Sequence, residues 1–246
     1  MFIGQRTTWG RGASALVNRG DLRGFFAALF RYASDDSYVS LRVFSQHDRG
    51  KPPLSIKGIK VGDPHLIDEV EASAIHAARA AEPAVFAPPV ATFDNPKRAA
   101  WRNLANGLAI AVEIDEGDTY KKLRAVENVV GPATIVVRSG GSWTDPATGK
   151  VFAKLHAYWR LSEPTDDLSS HTLLALARRE AALLINADLS GASPVHPYRW
   201  PGSVHTKDPT RPVPCRIERS NEQAEVHLED AAEALSGQQI SILPWS

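Results

Sequence analysis

The chain has 246 residues, 43% of them hydrophobic and 23% charged, the proportions of a globular protein that buries a sizeable core in one large domain or two interlocked small ones. No apolar run approaches the roughly 18 residues of a membrane-spanning helix, and the first residues lack the apolar stretch of a secretion signal. A single cysteine, Cys215, excludes an internal disulfide and any cysteine-rich zinc module, so the sequence reads as cytoplasmic, with no membrane partner.

The 28 basic and 28 acidic residues cancel, which argues against indiscriminate coating of nucleic acid. They are unevenly spread. Residues 1–24 carry Arg6, Arg11, Arg19 and Arg23 against Asp21 alone. Five basic residues face two acids from Arg199 to Arg219, and five acids with no Lys or Arg follow from Ser220 onward. The Arg199–Arg219 stretch is a candidate phosphate surface.

In chain order, Leu22, Phe25, Phe26 and Leu29 predict a helix over 21–33, and the alternation of Val39, Leu41 and Val43 predicts a strand over 38–44. Asp63-Pro64 is a helix start, continued by Ile67, Val70, Ala74 and Ala78. Pro83, Pro88 and Pro89 bracket a short extended piece at Val85–Phe86. A strand is expected over 108–115, then a helix capped by Thr119 and ended by Gly131. A buried strand over 133–138 leads through the polar turn SWTDPATGK to a second long strand over 151–160. After Glu163-Pro164, Asp166 or Asp167 opens a helix to about Asn186, buried through Leu173, Leu176, Ala177 and Leu184. Residues 187–214 read as loop, 215–218 as a last strand and 227–235 as a short helix. The order implies an α+β sandwich, a mostly antiparallel sheet with helices on one face and chemistry on the other.

Four stretches carry candidate chemistry. In LAIAVEIDEGD, strand alternation sends Leu108, Ile110, Val112 and Ile114 one way, and Ala109, Ala111, Glu113 and Asp115 the other. Two carboxylates about 7 Å apart along a strand can hold one or two divalent cations; alternatively they are the solvated end of a strand. In the second long strand, Phe152, Lys154, His156, Tyr158 and Arg160 share a face, and Lys154, His156 and Arg160 are placed to grip phosphate oxygens, or else to form an exposed amphipathic face. Ser139-Gly140-Gly141 follows a buried strand where backbone N–H groups can face an anion, although such a turn is also common without a ligand. Thr148-Gly149-Lys150 is no Walker loop, because residue 144 is Thr and Val151 follows the lysine. Finally, Asp188 stands at a helix end, and Arg199-Trp200-Pro201-Gly202 makes a stiff turn ahead of His205 and Lys207, where fixed cations suit phosphate contact.

Taken in this order the motifs resemble the archaeo-eukaryotic primase superfamily, above all the primase-polymerases and RepB-like primases of plasmids, phages and other mobile elements. That pattern is an apolar strand ending in Asp-x-Asp or Asp-x-Glu, a Ser/Gly turn leading to a strand with a key His then Tyr-Trp, a further acid, and an Arg-x-Pro-Gly…Asn-x-Lys stretch. The counterparts are Glu113-Ile-Asp115, Ser139-Gly-Gly141 with Lys154-Leu-His156-Ala-Tyr-Trp159, Asp188, and Arg199-Trp-Pro-Gly202 with His205-Thr-Lys207. Three departures stand out. Glu113 replaces the first Asp and moves its carboxylate outward by about one bond, ~1.5 Å. The SWTDPATGK segment lengthens the spacing from Ser139 to His156, and His205 stands where Asn is common.

The resemblance implies an RRM-like sheet over 93–219, completed by an N-terminal α/β part over 1–92, with 220–246 an acidic tail or linker. It implies template-directed nucleotidyl transfer on single-stranded DNA or primer-template from nucleoside triphosphates. Glu113, Asp115 and Asp188 would hold Mg²⁺ or Mn²⁺. His156, Lys154 and the Ser139-Gly140-Gly141 turn would hold the triphosphate, and Arg199 and Lys207 would contact nucleotide or template. A helicase domain or subunit following the C-terminus fits the same picture. Two other readings stay open: a metal-dependent nuclease using the same acids, and a catalytically inactive nucleic-acid-binding replication module.

Overall fold

The computed structural model describes residues 9–47 and 50–240; Arg6, the Ser241-Ile-Leu243 segment and the Pro-Trp-Ser end lie outside them. In chain order the elements are α1 (Trp9–Ser14), α2 (Arg19–Leu29), β1 (Tyr38–Ser45), β2 (Ser55–Lys60), α3 (Leu66–Ala78), β3 (Ala84–Phe86), β4 (Ala91–Phe93), β5 (Leu104–Ile114), α4 (Thr119–Val130), β6 (Ile135–Thr144), β7 (Val151–Thr165), α5 (Leu168–Leu184), β8 (Val204–His205), β9 (Val213–Pro214), β10 (Arg216–Ser220) and α6 (Leu228–Ile240). Eight strands form one sheet in the order β10-β6-β7-β5-β4-β1-β2, with β3 also pairing β1. Every one of these pairings is antiparallel.

This is the expected α+β architecture, extended by strands β2 and β4 that periodicity did not reveal. Both faces of the sheet are packed. On one, Ile110, Val112, Ile114, Leu155, Ala157 and Trp159 meet α4, α5 and α6. On the other, Ala109, Ala111, Val137 and Tyr158 meet Leu22, Phe25 and Leu29 of α2, together with Tyr198 and Trp200. Helices expected on one face of the RRM-like part are therefore joined by an N-terminal helix on the other. The second face opens only near the end of β5, at Glu113 and Asp115.

A register slip between Gly107 and Ala109 explains a departure from simple alternation: Leu108 packs with Ala109 and Ala111 rather than with Ile110. On the edge of β5 away from β7, past the Gly107 end of its pairing with β4, the Ala109 carbonyl accepts Nε and Nη2 of the buried Arg178 at 3.0 and 2.7 Å. Arg178 belongs to a buried face of α5 formed by His171, Leu174, Ala177, Arg178, Ala181 and Ala182. Two polar members disguise that stripe, and the expected Leu176 is instead 49% exposed. The helix start is as read: Asp167 caps α5 in a reciprocal arrangement with Ser170. For α4 the cap is Asp118, accepting the Lys121 N–H at 3.0 Å, whereas Thr119 turns inward to donate to the Ala153 carbonyl.

The stretch expected as tail or linker is part of the body through residue 240. Leu228, Ala231, Ala232 and Leu235 of α6 are buried against the α4/α5 side. The strand of chain before α6 is laced to the sheet, Asn221 N–H to Thr134 O and Val226 N–H to Arg160 O, 2.8 and 2.9 Å.

Candidate active site

Antiparallel pairing sets Glu113 of β5 directly opposite His156 of β7, so the two side chains share a face and touch. His156 Nε2 lies 3.5 Å from Glu113 Oε1, and His196 Nε2 faces Glu113 Oε2 at 3.6 Å from the loop before the Arg-Trp-Pro-Gly turn. The carboxylate thus sits between two imidazoles. Burial pushes Glu113 up, but the His196 contact and the charges of its neighbours outweigh it, and the group is held below its ordinary value. Burial drives His156 toward its neutral form.

His156 is 4% exposed. Its Nδ1 meets the Tyr158 hydroxyl at 3.4 Å, and its ring packs edge-on against Tyr198, centroids 5.7 Å apart. His156, expected to hold a triphosphate, thus lies buried against Glu113 and the two tyrosines. Tyr198 also meets His196 at 5.0 Å and Tyr158 at 5.5 Å, and its hydroxyl donates to the Gly191 carbonyl at 3.0 Å. It is the hub that fixes both histidines. His196 and Tyr198 were not singled out from sequence; the signal was their place in a loop with no hydrophobic period, just ahead of a Pro-Gly turn.

That turn is pinned from three sides. Trp200 Nε1 donates to the Pro88 carbonyl at 3.0 Å, and Asn18 N–H donates to Gly202 O at 2.9 Å. Gly202 has φ +82°, and a Cβ there would strike Asn18 and Leu22 of α2, so only glycine fits. Arg178 completes the frame by donating Nη1 to Ser193 O at 2.9 Å.

Asp115 lies just beyond β5, its side chain 48% exposed, with Lys154 Nζ 3.1 Å from Oδ2. Ser139-Gly140-Gly141 is not a turn after a strand but an irregularity inside β6, between Arg138 and Ser142. Ser139 is buried, and its carbonyl accepts Arg199 Nη1 at 2.8 Å and the Cys215 thiol at 3.0 Å. Gly140, at φ +83°, would carry a Cβ 2.7 Å from that of His205, and a Cβ on Gly141 would meet the Lys154 side chain at 2.8 Å. The glycines let Lys154 and His205 approach the strand; they do not form an open anion cradle. Burial, and after it the charges of Arg199, Lys207 and Lys154, depress His205 to about 4. Arg199 Nε is buried and has no hydrogen-bond partner.

Two predicted members lie elsewhere. Arg160 is 2% exposed and donates to Ala28 O, Glu222 O and Glu225, so it ties the body together and grips no phosphate. Asp188 caps a short 3-10 turn by accepting the Ser190 N–H at 2.8 Å. Among the described residues no group of three or more His, Cys, Asp or Glu side chains is arranged to hold a metal ion, so the three-acid set is not assembled. The chemistry of the remaining donors still suits Mg²⁺ or Mn²⁺. Mg²⁺ keeps several waters and takes one or two carboxylates plus substrate phosphates rather than an all-protein cage, and Glu113 with Asp115 offers such a pair next to the cations.

No family model matches the chain, and no curated protein is similar to it in sequence. Solved structures are similar in fold. The primase-polymerase domain of cyanophage S-2L superposes with a TM-score of 0.61 at 13% identity, over 89% of this chain and 98% of that one. The catalytic domain of primase RepB′, solved with initiator DNA, gives 0.54 at 12% identity over 90% and 96%. Among the described residues no helix is long and apolar enough to cross a membrane. The chain shares its fold with these primase-polymerase and primase domains.

Proposed function

We propose that this is the catalytic domain of a primase-polymerase, which joins nucleotides on a single-stranded or primed DNA template. The observation that carries the reading is the juxtaposition at the open end of β5: two carboxylates, Glu113 and Asp115, beside the cations Lys154, Arg199 and Lys207, on the fold of known primase-polymerases. Carboxylates alone would repel a triphosphate and cations alone would only bind one, so the pairing suits transfer chemistry.

Lys154 and Lys207 reach the β- and γ-phosphate oxygens, while Arg199 faces the same anion from the turn. His156 and His196 fix the Glu113 carboxylate between them, and the buried Tyr198 keeps both rings oriented. Mg²⁺ or Mn²⁺ held by Glu113 and Asp115 would neutralise charge on the α-phosphate and the departing pyrophosphate and acidify the attacking 3′-hydroxyl.

One observation favours a second reading, a DNA-binding replication module without catalysis: Asp188 is not brought to the other two acids. Synthesis on unprimed and primed single-stranded DNA, with ribo- or deoxynucleoside triphosphates and with Mg²⁺ or Mn²⁺, separates the two. Asp115→Ala is expected to abolish extension and leave the thermal transition within a few degrees of wild type, because the residue is exposed. Extension at the wild-type rate by this variant overturns the metal assignment, and DNA binding with no product from wild type supports the second reading.

A further inference from the structure

The segment that lengthens the spacing between Ser139 and His156 is not a loose loop. Beyond Arg138 and Leu155, where β10 and β5 stop pairing, β6 and β7 continue as a two-stranded ribbon: Ser142 opposite Ala153, Trp143 opposite Phe152, Thr144 opposite Val151. Its turn is well made, with Asp145 N–H to Lys150 O at 2.9 Å and Gly149 N–H to Asp145 O at 2.8 Å. Trp143 and Phe152 form a cross-strand aromatic pair, centroids 6.0 Å apart and inclined by 40°, and Lys150 Nζ lies 4.6 Å from the Phe152 ring centre.

Strand alternation puts Phe152 on the same face as Lys154 and His156, so the rings stand about 7 Å along the strand from Lys154. The ribbon therefore extends the cationic surface of Lys154, Arg199 and Lys207 with two aromatic rings and a further lysine. The one acid from Gly140 to Leu155 is Asp145, and its carboxylate accepts the Ala147 and Thr148 N–H groups of its own turn. A cross-strand pair of rings also stabilises a hairpin, but that role needs no lysine over one ring and no alignment with the phosphate-binding cations.

We propose that this ribbon is a base-stacking platform for single-stranded nucleic acid, with Trp143 and Phe152 taking bases and Lys150 and Lys154 the flanking phosphates. Rings offering a π-face within a positive surface are what single strands bind without sequence preference. The proposal shares with the reading above the class of ligand and Lys154, and it holds whether or not the domain catalyses.

The test is fluorescence anisotropy, in EDTA, of labelled oligothymidylate and of an abasic oligomer of equal length and phosphate number. Wild type is expected to prefer the base-bearing strand. Trp143→Ala and Phe152→Ala should each weaken that strand roughly 5- to 100-fold, the range of one lost base stack, and leave the abasic oligomer unchanged. Lys150→Ala should weaken both. Wild type binding the two oligomers equally, or neither, overturns the platform, as does unchanged oligothymidylate binding by Trp143→Ala. If wild type shows ring-dependent base preference yet makes no product, the platform stands and the catalytic reading falls. Far-UV dichroism of each variant tests whether the ribbon is kept; loss of abasic binding as well would assign the rings a structural role and overturn the proposal.

Discussion

His205 offers a direct physical gauge of the cationic surface. Its ring is partly buried beside Gly140 and is held near 4 by burial and by Arg199, Lys207 and Lys154, whereas in the unfolded chain it titrates near the ordinary value of about 6.5. Between these values the unfolded state binds the proton and the folded state does not, so stability falls as pH drops from about 6.5 to about 4 and the loss is complete below. The full displacement corresponds to about 3 kcal/mol; partial exposure to solvent reduces this to about 1–2 kcal/mol. The perturbation is His205→Asn, which removes the titration and keeps a polar side chain. Urea denaturation of both proteins between pH 7.5 and 4.5 should show wild type losing about 1 kcal/mol or more relative to the variant. A nucleoside triphosphate on Lys154, Arg199 and Lys207 brings negative charge to the ring, raises its titration point and should flatten the difference. A wild-type-minus-variant stability independent of pH would refute the claim that burial and these three cations depress the His205 titration.

Two further perturbations probe the frame around the site. Arg160→Met leaves the Ala28 and Glu222 carbonyls without their donor, at about 1–3 kcal/mol for the buried Ala28 group, so the melting temperature should fall by roughly 3–12 °C; a fall under about 2 °C would show that the segment before α6 is not anchored through this side chain. His196→Ala removes the partner that faces Glu113 Oε2 from a partly exposed position, so extension should drop at least about 10-fold with the melting temperature nearly unchanged, and the acidic limb of the pH–rate profile should move to higher pH because the carboxylate is less stabilised. Equal rates and an unmoved limb would remove His196 from the site.

Much of the frame was legible because strong local signals agreed with the final packing. The alternation in 108–115, the Asp167 cap and the glycine end of the helix before residue 133 each state a local preference that the tertiary structure keeps. What escaped was decided by distant partners. Strand β4 is three residues long and exists because β1 and β5 flank it. Arg178 is a charged residue on a buried helix face, readable only once the short β4 leaves the Ala109 carbonyl of β5 open to it. Ser139-Gly140-Gly141 carries the composition of a turn, yet its neighbours β7 and β8 hold it inside a strand as a kink. Asp188 was read as an acid free to reach a cation, but a short polar side chain ahead of Ser190 satisfies the nearest N–H first.

The geometry gives a physical account of the glutamate at position 113, where the resembled pattern has an aspartate. Across an antiparallel pair, Cβ atoms of opposed residues are separated by about 5 Å, so His156 lies within reach of either acid. His196 comes from a loop on the far side, and its Nε2 stands 3.6 Å from the second oxygen of a carboxylate that already carries the extra methylene. An aspartate would withdraw that oxygen by about 1.5 Å and open the contact to roughly 5 Å. The longer side chain thus allows one carboxylate to bridge two imidazoles that a shorter one would leave apart. Tyr198, packed edge-on against both rings, makes the arrangement a unit: the glutamate, the two histidines and the tyrosine are one positioned group, with Asp115 at its edge paired with Lys154. In the folded chain the glutamate ties the loop ahead of the Arg-Trp-Pro-Gly turn to the carboxylate end of the sheet through His196.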